Sequence, residues 1–122
     1  MKEYGKKTWL IPDAYYDGNS NKQVSHDAVC VLNTSEKDAT ITMTLFFEDR
    51  EEMPGFVAKC GARKTHHIRM DKLKSVDGKT VPINTPYAIL VESDVPVVVQ
   101  YSRLDTAQSE LALMTTIAYA VE

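Results

Sequence analysis

Thr40-Ile41-Thr42-Met43-Thr44-Leu45-Phe46-Phe47 is the stretch from which the fold can be read. Ile41, Met43, Leu45 and Phe47 share one face of an extended chain, and Thr40, Thr42 and Thr44 share the other. That period of two marks a strand with one side in the core and one in water. The branched Cβ of threonine suits a pleated surface as well.

Working outward, the same reading predicts strands over Thr8 to Ile11, Ala28 to Leu32, Gly55 to Cys60, Thr65 to Met70, Tyr87 to Glu92 and Val97 to Arg103. Turn residues separate them at Asn33 to Asp38, Met53-Pro54-Gly55, Asp77-Gly78-Lys79 and Ser93-Asp94-Val95-Pro96. The last of these predicts an antiparallel hairpin joining Tyr87–Glu92 to Val97–Arg103. At the C-terminus the β-branched run Thr115-Thr116-Ile117 favours a strand from about Leu113, with residues 105–110 as a loop or single helical turn. The expected fold is all-β: a single-domain antiparallel β-sandwich of about 7–8 short strands over residues 1–122. The longest connection, Asp13 to Gln23, carries Tyr15 and Tyr16 and is long enough for a role of its own.

With 122 residues, 43% of them hydrophobic, the chain is large enough to bury its own core. Its net charge of −3 argues against a general nucleic-acid binder, though not against a local basic patch. No signal peptide or membrane span is visible, which predicts a cytoplasmic protein. Cys30 and Cys60 sit in apolar surroundings and read as buried free thiols.

Catalytic and metal motifs are weak. Ser25-His26-Asp27 resembles a triad only on paper, because neighbouring side chains in a strand point to opposite faces. His66-His67 fails as a chelate for the same reason, and no metal site or cofactor is expected. An enzyme, with a histidine as base in sugar modification, is the least favoured alternative. Half of the 14 Lys and Arg lie between Lys59 and Lys79, opposed only by Asp71 and Asp77. Within that window Arg63, Lys64, His67 and Arg69 are candidates for contact with an anion or a partner.

Arg103 shares a face with Val97, Val99 and Tyr101, so its charge needs either Asp105, solvent or a ligand carboxylate. Trp9, the one tryptophan, is a core residue or an aromatic platform for a ligand.

Several motifs occur together in one order. They are Thr8-Trp9, the run from Val24 to Asn33, Ala62 to Arg69, Val95 to Asp105, and Thr116-Ile117-Ala118-Tyr119-Ala120. Over about Gly5 to Val121 the chain resembles the sensory rhodopsin transducer family of the Anabaena type. The resemblance implies a compact β-sandwich, a homotetramer and a cytoplasmic location. It also implies a signalling protein that partners a membrane receptor, within a wider family viewed as small-molecule binding domains for sugars or related metabolites. DNA contact is a further implication. The family's polar positions carry over to Trp9, His26, Arg63, His67, Arg69, Gln100 and Arg103. Two positions depart from its pattern: Asp27 where a glutamate is expected, and Tyr101 where a histidine is expected.

The expected function is therefore a signalling module that binds a small molecule, with a sugar or sugar acid as the natural class. The expected ligand residues are Trp9, His26, Gln100 and Arg103, with Tyr16 or else Tyr15 from the long connection, and Arg103 facing any carboxylate. The alternative is an interaction module that contacts a membrane receptor or nucleic acid through its charged segments.

Overall fold

The computed structural model describes residues 3–15, 26–105 and 112–122. Its strands are β1 (Lys6–Ala14), β2 (His26–Asn33), β3 (Ala39–Phe47), β4 (Met53–Cys60), β5 (Lys64–Arg69), β6 (Tyr87–Asp105), β7 (Ala112–Ile117) and β8 (Tyr119–Val121). Every pairing among them is antiparallel.

The founding stretch behaves as its period requires. Ile41, Met43 and Leu45 have no exposed surface, while Thr40, Thr42 and Thr44 are half-buried on the opposite face. β3 pairs with β4 on one side and with the first half of β6 on the other, and β1 and β8 follow beyond β6. A second sheet contains β5, β2, the second half of β6, and β7. One core serves both sheets, with Ile11, Ile41, Met43 and Ile89 from the first meeting Val29, Val31, Ile68 and Val99 from the second.

The hairpin expected at Ser93-Asp94-Val95-Pro96 does not form. β6 runs on through these residues as one strand of 19 residues. The irregular composition instead marks a bulge. Lys6 pairs with Val97 and Thr8 with Glu92, so Lys7 alone spans the stretch that Ser93 to Pro96 occupy on β6. Three contacts hold this bulge. Trp9 Nε1 donates to the carbonyls of Lys6 (3.0 Å) and Val97 (3.1 Å). Asp94 Oδ1 accepts from the Thr40 amide at 2.8 Å. Gly5, at φ +96°, passes so close that a Cβ there would sit 2.1 Å from the Val97 carbonyl oxygen. Local composition could show that the chain deviates here but not that it keeps its direction.

Met53-Pro54-Gly55 is likewise part of a strand, the start of β4, where a register shift and a positive φ at Gly55 absorb the turn residues. β4 is an edge strand, where proline is tolerated. Asp77-Gly78-Lys79 does turn, with Gly78 at φ +82° and its amide on the Ser75 carbonyl at 2.9 Å. The C-terminus is extended, in β7 and β8. Cys60 is buried as expected, whereas Cys30 is only half-buried and faces outward; both are free thiols.

Candidate functional site

β2 turns Asp27, Val29, Val31 and Asn33 toward the interior, and none has exposed surface. The row is apolar in the middle and polar at both ends. Burial of a polar group costs free energy unless it is bonded, so the two ends need separate accounts.

Asn33 is saturated. Its Nδ2 donates toward the carbonyls of Lys37 (2.7 Å), Cys60 (3.1 Å) and Gly61 (3.2 Å), and its Oδ1 accepts from the amide and hydroxyl of Ser35. It fixes the β2–β3 turn against the end of β4, a structural role.

Asp27 is different. Its Oδ2 accepts from the hydroxyls of Tyr101, at 2.8 Å, and Tyr87. Its Oδ1 has no hydrogen-bond partner among the described residues. Burial raises its pKa above the usual carboxylate value, against the opposing pull of the two phenols; the nearby charge of Asp71 adds to the rise. Both phenols are also held above their ordinary range, first by burial and next by the negative charge of Asp27. Tyr87 lies in the part of β6 that belongs to the first sheet and Tyr101 in the part that belongs to the second. Tyr101 additionally accepts the Tyr15 amide at 2.9 Å, which ties down the chain just after β1.

Arg103 stands directly across from Asp27 in the β2–β6 register, on the face shared with Val97, Val99 and Tyr101. It is half-buried. Its guanidinium lies 5.9 Å from the centre of the Tyr15 ring and 3.9 Å from Met114 Sδ. Among the residues whose side chains are described, which do not include Asp105, it forms no ion pair. A cation over an aromatic ring, rimmed by a thioether and backed by a buried acid, is a setting that accepts an anion or a polyhydroxyl group.

The other expected residues lie elsewhere. Trp9 is buried in the core with its donor already committed to the bulge. Gln100 faces the opposite side of the second sheet, bonded to Thr115. It shares a cross-strand row there with His67, Cys30 and Ile117. His26 and Arg69 fall on that same outer face, by alternation from Cys30 and His67. Arg69 is engaged by Asp71 through two bonds of 2.8 Å. Arg63 sits in the β4–β5 turn at φ 60°, with its guanidinium on the Thr34 carbonyl at 2.7 Å, and Lys64 opens β5 beside it. Tyr16 lies outside the described residues. Of the expected ligand residues, then, Arg103 joins the Asp27 cluster, His26 and Gln100 share the outer face, and Trp9 supports the bulge from inside. Tyr87 and Asp27 are members of the cluster that the sequence did not nominate.

A groove of about 450 Å³ is at the other end of β2, between Tyr4, Lys7, Lys37 and Asp94. Among the described residues it holds no buried polar side-chain atom without a partner, so the chemistry favours the Asp27 end. Groups of His, Cys, Asp or Glu able to hold a metal are absent among the described residues.

A family model described as the Anabaena sensory rhodopsin transducer matches residues 4–120. This chain belongs to the Anabaena sensory rhodopsin transducer family. The crystal structure of Thermotoga maritima 1070 is 38% identical and superposes with a TM-score of 0.86 over 97% of each chain. The Anabaena sensory rhodopsin transducer itself is 30% identical, with a TM-score of 0.74, covering 83% of this chain and 99% of that one. None of the curated proteins matches. Membership makes this transducer-family chain a signalling module and points away from catalysis. No helix among its described residues is long and apolar enough to cross a membrane.

Proposed function

We propose that this transducer-family protein signals by binding a small polar molecule that carries a carboxylate, with sugar acids as the leading class. The supporting observation is Arg103: a half-buried guanidinium on a core-facing row, 5.9 Å from the centre of the Tyr15 ring. A ligand carboxylate would complete it with charge-assisted bonds, while the ring of Tyr15 would take the apolar C–H face of a sugar. The neighbouring Asp27–Tyr101 pair would hold the strands that carry Arg103 in place. Gln100 and His26, on the outer face, are not part of this site. We further propose that the chain works as one domain, without catalysis, in the cytoplasm and as a homotetramer, a state that light scattering measures.

Calorimetry against paired neutral and acidic sugars tests the reading. Acidic members should bind and neutral ones should bind far more weakly, and Arg103→Ala should abolish the difference. Absence of binding by every acid, or affinity untouched by Arg103→Ala, would overturn it.

A further inference from the structure

β5 lies at the edge of its sheet and pairs only with β2 among the described strands. The Met70 amide donates to the Asp27 carbonyl, directly opposite it, at 3.0 Å. In an antiparallel ladder the bonded residues alternate, so Ile68, His66 and Lys64 also turn their main chain toward β2. Thr65 and His67 therefore turn N–H and C=O outward. No backbone bond from another described element reaches them. An extended segment laid beside β5 would find these groups ready to pair.

The side chains along this edge are basic on both faces. Lys64 and His66 alternate with His67 and Arg69, and all but the half-buried Arg69 are exposed. A shallow groove beside the strand, about 240 Å³, has Ile68, Ala58 and Leu73 for its floor and His66, Arg69 and Lys72 for its rim. Charges on an edge normally repel further strands. Here they select among them. A second copy added antiparallel must set outward-turned residues opposite outward-turned ones, so an axis at His67 would bring a second Lys64 and Arg69 onto an edge that already has both and holds no acid from residue 64 to 69, an unfavourable concentration of like charge. A strand rich in glutamate or aspartate would instead meet the exposed Lys64 and His67 along the edge and Lys72 beside it, with Arg69 already engaged by Asp71 and His66 bonded to the Lys59 carbonyl.

We propose that the β5 edge, Lys64–Arg69, is a docking surface for an extended acidic segment of a partner protein, added as a further strand. This goes beyond the Arg103 site and does not depend on it, since β5 and Arg103 present different surfaces.

The experiment uses the full chain and a ten-residue peptide alternating glutamate with valine, with the glutamine analogue, a short DNA duplex and phosphatidylserine vesicles as controls. The glutamate peptide should bind, weaken at about 0.5 M salt where exposed charges are screened, and protect the Thr65 and His67 amides from hydrogen exchange. The glutamine analogue should bind at least about tenfold more weakly, as should the wild-type peptide with the Lys64→Glu/Lys72→Glu double variant. Thr65→Pro removes one outward N–H, spares the backbone bonds of the β2 ladder and loses the hydroxyl bond to the Val31 carbonyl, and should cost a similar factor. If Thr65→Pro fails to fold, the double variant and the amide protection decide alone. Peptide affinity indifferent to both variants would overturn the proposal. So would equal binding of DNA or vesicles, or dissociation of a self-assembled chain by Thr65→Pro, which would assign the edge to a second copy.

Discussion

Tyr101 places its hydroxyl 2.8 Å from Asp27 Oδ2, a bond that crosses the β2–β6 ladder diagonally, since Asp27 pairs with Arg103 and Tyr101 with Val29. Tyr87 completes the arrangement from the other sheet. Removal of Asp27 by Asp27→Ala would take the acceptor from the buried Tyr87 hydroxyl and leave Tyr101 only the Tyr15 carbonyl at 3.2 Å, a loss of about 2–3 kcal/mol. Chemical denaturation of the variant measures it.

Asp27 also gives stability a pH dependence. Its pKa is raised above 3.8 in the folded chain, so between those values the native state holds a proton that the unfolded state releases. Stability should therefore fall as pH rises through the raised value. Asp27→Asn keeps an acceptor for the phenols and cannot ionise. Its denaturation midpoint should lack that acidic slope, and a midpoint that tracks the wild type at every pH would refute the assignment.

The phenols act at the alkaline end. Tyr87 and Tyr101 both lie above the ordinary value of 10.0 when folded. Their contribution is complete below that value and is lost as the unfolded chain ionises above it. Tyr87→Phe should cost about 1–2 kcal/mol at neutral pH and flatten part of the alkaline decline. Ultraviolet titration should show two tyrosines that ionise only on unfolding.

Trp9 secures the bulge that lets β6 pass between sheets. Trp9→Phe retains most of the packing but deprives the Lys6 and Val97 carbonyls of a donor. A loss of about 1–2 kcal/mol is expected, with carboxylate binding at Arg103 retained. Loss of ligand affinity in a folded Trp9→Phe protein would return Trp9 to the binding site.

Gly5→Ala probes the same bulge from the backbone. The added methyl would collide with the Val97 carbonyl at a φ of +96°, so relief requires the chain to move. A destabilisation of about 1–3 kcal/mol should appear as a lowered thermal midpoint.

The strands were legible because alternation survives in the letters: Ile41, Met43 and Leu45 reveal their face without help. The path of β6 was not, because Ser93-Asp94-Val95-Pro96 has a turn's composition, and the contacts that keep it extended come from Trp9, Gly5 and Thr40, far off in sequence. Arg103 was found as a charge on an apolar row. Asp27 alternates with Val29 and Val31 and so carried the same signal, but beside Ser25 and His26 it drew attention as a failed triad instead. Tyr87 looked like any strand aromatic. Its partner is 60 residues away, a distance local pattern does not encode.

β6 is also the spine of both sheets, with β3 and β1 on its first half and β2 and β7 on its second. Neither sheet can melt while the other stands, because each would take half of the shared strand with it. Heat should therefore dismantle the molecule in one step, and a proteolytic cut anywhere along β6 should release no folded fragment.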